Sequence, residues 1–184
     1  MRPRIPALAW RGVNIALTVV LAVVLIALAA IAIGGIRVLP GTSPANRANA
    51  DYEAAAGAAR SGMNAFLSVD YLDMDALQKR LLALSTGSFK TQYAAAQVNI
   101  KASAEAAKVV ATPTIRAVGI NQLAKGKATA VVAADLVRSN VSTTKVAATK
   151  QCPHAGATCL YFRFTVDLTD TPDGWKISGV EPVS

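Results

Sequence analysis

From Val13 to Ile36 the chain reads VNIALTVVLAVVLIALAAIAIGGI, 24 residues without a charge and with only Asn14 and Thr18 as polar side chains. No other feature narrows the fold as much. About 20 apolar residues cross a hydrocarbon layer of roughly 30 Å, and a globular helix of this length would normally carry a polar face. A cleaved signal peptide needs an apolar region of only about 7 to 15 residues before a small-residue site. Ala27-Leu28-Ala29 imitates such a site, but the run continues to Ile36 without a polar break. An uncleaved anchor is therefore expected.

The flanks orient it. Arg2, Arg4 and Arg11 precede the span with no acid among them, whereas only Arg37 follows closely before Arg47. Positive charge stays on the cytoplasmic side, so the remainder of the chain is expected outside the cell membrane. The division that follows is a basic cytoplasmic tip at 1–12, a membrane helix at 13–36, a linker at 37–47 and an extracytoplasmic domain at 48–184. Ala30 and Gly34 stand four residues apart in the small-residue half of the span, the spacing for close approach of a neighbouring membrane helix.

The net charge of +8 shrinks once the tip is set aside, since three of the 19 Lys and Arg belong to it and the other 16 face 11 Asp and Glu. Those charges are dispersed, and aromatics make up 5% of the chain. A nucleic-acid groove needs clustered cations and stacking rings, so no such partner is expected. Attraction to lipid headgroups is compatible with the balance, and so is a plain solvated surface.

Beyond the linker the hydrophobic period divides the domain in two. Tyr52, Ala55, Ala59, Met63 and Phe66 recur at three and four residues, a helical stripe weakened by Gly57 and Gly62. A second helix is expected in DMDALQKRLLALSTG, capped by Asp73, and a third in FKTQYAAAQVNIKASAEAAKVV, capped by Ser88. Together these cover about 48–110. From about 112 to 182 the pattern becomes that of strands, in TIRAVGINQL, KATAVVAADLV, TTKVAATKQ, LYFRFTVDL and GWKISGVEPV, separated by turn formers. Leu160, Phe162, Phe164, Val166 and Leu168 alternate with polar residues, as in a half-buried strand. Trp175 and Ile177 share a face that Val180 leaves, so Gly179 marks either a bulge or an irregular strand end. The expected class is α+β, with helices on one face of an antiparallel sheet.

The basic tip, the single span, NAFLSVDYLDMDALQKRLLALSTGSFKTQY and the closing GWKISGVEPV together resemble the Mce-associated membrane proteins of actinobacteria. The resemblance covers nearly the whole chain. It implies an outer domain of NTF2-like or VirB8-like fold with a curved sheet. It also implies a non-enzymatic accessory role in stabilising or assembling an Mce-type importer of lipids or sterols. The implied partners are permease or substrate-binding subunits of that complex, related accessory proteins and membrane lipid. A VirB8-like component of a secretion apparatus, and a lipid-binding NTF2-like module, are the competing readings.

The inventory for catalysis is thin. His154 is the only histidine, and with Cys152 and Cys159 it offers at most three metal ligands without C-x-x-C spacing. No phosphate-binding glycine loop is present, and Asp70, Asp73 and Asp75 read as a solvated helix start. No cofactor is expected. Tyr93, Phe162, Phe164 and Trp175 are the rings most suited to an apolar pocket or to the core.

Placing the domain outside the cytoplasm makes a disulfide the expected state of Cys152 and Cys159, the only cysteines. If their loop joins two paired strands, Gln151 falls opposite Leu160, Thr149 opposite Phe162 and Ala147 opposite Phe164.

Overall fold

The computed structural model describes residues 44–183. Among them no helix is long and apolar enough to cross a membrane. The expected span, with Ala30 and Gly34, lies outside the described residues.

Within the described residues three helices and five strands follow one another. Helix α1 runs Pro44–Leu67 and leads into the two-residue strand β1, Val69–Asp70; helices α2, Met74–Ala83, and α3, Gly87–Ala107, come next. The strands β2, Val110–Ala124, β3, Lys127–Ser139, β4, Thr158–Thr171, and β5, Gly174–Pro182, then form one antiparallel sheet in the order β1-β2-β3-β4-β5. Proline suits the first turn of α1, where its missing N–H is no loss. Lys108 closes α3 in the left-handed conformation, φ 50°, and its N–H reaches back to the carbonyls of Ala104 and Glu105.

Both expected caps differ in detail. Asp73 occupies the cap position of α2 but makes no side-chain cap bond. Its neighbour Asp70 organises the turn instead, accepting the Leu72 N–H at 3.0 Å, a local bond that competes with helix capping. For α3 the cap position is Thr86, also without a side-chain bond, and Ser88 lies within the first turn.

Alternation in the strands decides what the helices cover. Ala128, Ala130, Val132, Ala134 and Leu136 of β3, Phe164, Val166 and Leu168 of β4 and Ile177 of β5 are buried on the inner face. Ala55, Ala59, Met63 and Leu67 of α1 pack in the same cluster. Alanines on both sides let the helix lie close, and Gly62 marks the tightest point. A Cβ built there would stand 2.8 Å from Cγ1 of Ile177 and nearer still to its Cδ1. Gly57 meets nothing within 4 Å. The two glycines that weaken the helix in equal measure thus have unequal reasons to be there.

Ile177 ties further elements together. Its N–H donates to Leu84 O at 3.0 Å, and its carbonyl accepts the Thr86 N–H at 2.8 Å. The turn between α2 and α3 therefore covers that point of the β5 edge. In β5 the register shifts between Asp167↔Gly179 and Leu168↔Ile177, which leaves Ser178 as the extra residue. The irregularity expected near Gly179 is thus a bulge, and it returns Val180 to the partly buried set around the core. Gln78, buried on α2, donates its Nε2 to Gln97 O of α3 at 2.8 Å, holding the two helices in register.

One expected strand is absent. TTKVAATKQ, residues 143–151, forms turns and irregular backbone, and β3 pairs directly with β4. The expected cross-loop register is therefore replaced by Leu136↔Leu160, Ala134↔Phe162 and Val132↔Phe164. The physical reason lies in the hydroxyls. Thr143 Oγ1 bonds Gly156 O at 2.8 Å and Asn140 O at 3.0 Å, and Asn140 Oδ1 accepts the Ser142 N–H at 2.8 Å. These local bonds satisfy the backbone without a ladder. Small residues still face large ones across the core, but β3 supplies them.

Candidate functional site

The two ends of the sheet are built differently. At one end β2 turns into β3 through Lys125 and Gly126, both at positive φ, while β4 turns into β5 just before Gly174. The Asp170 N–H donates to Gly126 O at 2.9 Å and joins the two turns. Trp175 lies here, lining a cleft of about 200 Å³ with Ala48, Asp51, Leu123, Lys125 and Asp170. The start of α1 and both tight turns therefore share this end.

At the other end, residues 140–157 carry the chain from β3 to β4. Cys152 and Cys159 form a disulfide with their Cα atoms 5.3 Å apart. The Tyr161 hydroxyl donates to Gln151 O at 2.9 Å, which draws the loop toward β4. The Val141 N–H donates to Ala107 O at 3.0 Å and fastens the loop to the end of α3. The Gly156 N–H closes onto Val146 O at 2.8 Å, with Gly156 at φ +75°. A cleft of about 390 Å³ opens between loop and helix, lined by Tyr71, Lys108, Ser139, Asn140, Val141, Thr144 and Gly156. His154 is exposed.

Of the four rings expected to line a pocket or the core, Phe164 is buried in the core, Phe162 and Trp175 pack against the same cluster, and Tyr93 reaches it through other rings. Tyr93, Phe89, Phe66, Phe164 and Phe162 form a continuous row across α3, α1 and β4, with successive centroids 6.4, 5.7, 6.4 and 5.5 Å apart. Trp175 is not part of it. Phe66 and Phe89 supply the contacts that connect Tyr93 to the strand. Their signal was present in the sequence, since Phe89 and Tyr93 are one helical turn apart and Phe66 continues the α1 stripe. Which rings would meet required the tertiary fold. Burial raises the Tyr93 pKa by disfavouring the phenolate.

Polar chemistry does not converge on these rings. Lys101 bonds both carboxylate oxygens of Asp75 at 2.7 Å, and that hydrogen bond raises its pKa. Arg116 meets Asp135 at 2.6 Å on the outer sheet face, and Lys176 meets Asp173 at 3.1 Å beside a turn. These are exposed or partly exposed pairs, each of modest energy. Among the described residues no group of three or more His, Cys, Asp or Glu is placed to hold a metal ion.

Known proteins give this architecture a context. No curated protein matches the chain. Among solved structures it is similar to CagV, a VirB8 homolog of the type IV secretion system of Helicobacter pylori, with TM-score 0.53 and 12% identity over 72% of this chain and 98% of that one. An IcmL-like type IV secretion system protein of Legionella pneumophila gives 0.52 at 14% identity over 70% and 91%. The periplasmic domain of DotI gives 0.51 at 18% over 71% and 94%. At these identities the comparison establishes the fold: an α+β domain with an open antiparallel sheet and packed helices, resembling the NTF2-like and VirB8-like folds. The sequence itself goes further, for residues 14–184 match the family described as uncharacterized protein Rv1363c/MT1408-like, in accord with the resemblance to Mce-associated membrane proteins, and the chain belongs to that family.

Proposed function

We propose that this protein is a non-enzymatic accessory component of the cell envelope, whose outer domain holds other subunits of a membrane assembly in place. One observation carries the reading: the fold is shared with domains named for secretion systems, while among the described residues the polar side chains form scattered pairs and no convergent acid–base or nucleophilic group. Family membership adds weight, because the match begins at residue 14 and takes in almost the whole apolar run. In this reading residues 1–12 lie in the cytoplasm, 13–36 span the membrane, 37–47 link and 48–184 form the outer domain. The Cys152–Cys159 disulfide suits an oxidising compartment.

Two assemblies fit. The fold likeness favours a VirB8-like assembly component as the general role. The family resemblance makes an Mce-type lipid or sterol importer the finer reading, with its permease or substrate-binding subunits as partners. Affinity purification of the tagged full-length protein from gently solubilised membranes tests both. Mce subunits are expected to co-purify; secretion-system subunits in their place would transfer the role to the other assembly. Recovery of the protein alone would count against both.

A further inference from the structure

We infer that the end of the domain bearing the clipped loop is a docking surface for a partner-protein segment that presents carboxylates beside apolar side chains. The inference rests on the assembly role proposed above and adds to it the surface and the chemistry of its partner.

Exposed apolar side chains gather at this end. Of the nine large hydrophobic residues that are exposed among those described, Leu72, Val110, Val141, Val146 and Tyr161 lie around the ends of β1, β2 and β3, the start of β4 and the clipped loop. Leu72 is 78% exposed and Tyr161 65%, and both are held by local bonds: the Leu72 N–H to Asp70, and the Tyr161 hydroxyl to the loop. A gathering of exposed apolar side chains at one end is a mark of interaction surfaces.

Cations frame the same region. Lys108, Arg138, Lys145 and Lys150 are exposed, and the sequence from Asn140 to Ala157 contains no acid. Of the nearby carboxylates Asp135 is paired with Arg116, while Asp70, which accepts the Leu72 N–H, and the exposed Asp73 both lie beside Leu72 and away from the loop's own sequence. Apolar side chains beside a loop whose only charged residues are cations favour a partner of opposite charge on that side, which gains speed of encounter and orientation from the match. The cleft lined by Tyr71, Lys108 and Val141 gives an inserted side chain a place to lodge.

The surface is also pre-organised. The disulfide, the Thr143 hydroxyl bonds and the tie from Val141 to Ala107 fix the loop before any partner arrives, which lowers the entropy lost on binding. A lipid surface is the poorer fit, because a flat headgroup layer would leave the cleft beside Lys108 and Val141 unfilled.

The test compares tagged full-length protein with two charge-reversed forms, purified from membranes by the same gentle extraction. One carries Lys108→Glu, Lys145→Glu and Lys150→Glu; the control carries Lys79→Glu, Arg80→Glu and Lys90→Glu on the helices. The first is expected to lose co-purifying envelope subunits by about tenfold or more, while the control retains them and both melt with the wild type. Undiminished recovery with the first form would overturn the inference and leave the assembly role standing, whereas wild-type protein recovered alone would remove the role itself. Flotation with phosphatidylglycerol-containing vesicles and with pure phosphatidylcholine vesicles completes the test. Selective loss of anionic-vesicle binding in the first form, without loss of subunits, would assign the surface to lipid and overturn the proposal.

Discussion

Val131 and Val132 are neighbours in one strand with the same side chain, yet Val131 is 42% exposed and Val132 is fully buried. The pleat sends one to the open face of the sheet and the other beneath the helices. Around Val132 lie Ala130, Ala134, Val166 and Ile177 under α1. Across from Val131 stand Gly119 and Thr165, small residues in an uncovered row. What a side chain contributes here is set less by its own hydrophobicity than by what covers its face.

Ile177→Ala tests the covered face most severely. It removes a buried group that touches α1 and sits beneath the α2–α3 turn, and a loss of about 2 to 5 kcal/mol is expected in denaturant unfolding. Val131→Ala should change the same midpoint by less than about 0.5 kcal/mol. Equal losses from the two would mean that the open face is covered in solution.

The two glycines of α1 sharpen the contrast within a single helix. Gly62→Ala forces a methyl into Ile177 and is expected to destabilise by about 1 to 3 kcal/mol, despite the better helix propensity of alanine. Gly57→Ala meets open space and should stabilise by roughly 0.5 to 1 kcal/mol. Thermal melting of the two variants should move in opposite directions; shifts of the same sign would contradict the close approach at Gly62.

Arg116→Ala should have the smallest effect. Its pair with Asp135 lies on the uncovered face with the Arg116 side chain largely in solvent, so a loss of about 0 to 1 kcal/mol, shrinking with added salt, is expected. A large, salt-insensitive loss would place this pair in a drier setting than the sheet face provides.

How much of this was legible in the sequence varied with the range of the interactions involved. The alternation of β4 predicted its buried side correctly from Leu160 to Leu168, because that periodicity is local. The disulfide followed from having only two cysteines in a domain expected outside the cytoplasm. The partner of β4 did not follow, since TTKVAATKQ has the β-branched composition of a strand and the Thr143 hydroxyl bonds form only when Asn140 and Gly156 are brought to it. At two residues β1 is too short to carry a period at all. The aromatic row was half legible: its spacings on α1, α3 and β4 were visible, but not that Trp175 would fall at the other end of the sheet from the disulfide-clipped loop. The basic and apolar end remained hidden because its parts, Leu72, Lys108 and Val146, are far apart along the chain.

The position of Ile177 also bears on when the domain can assemble. Its side chain lies under Gly62, and its backbone holds Leu84 and Thr86, so contacts from the first two helices and the turn after them all await the final strand. Contacts of such long sequence separation slow the search for the native state. During synthesis, all three helices leave the ribosome before the residue that fastens them. Until β5 emerges, the alanine stripe of α1 and the aromatic row have no completed sheet to cover. A chain interrupted before Gly174 would therefore lose more than an edge strand: it would leave the helical layer without its fastening and present that layer to chaperones or proteases.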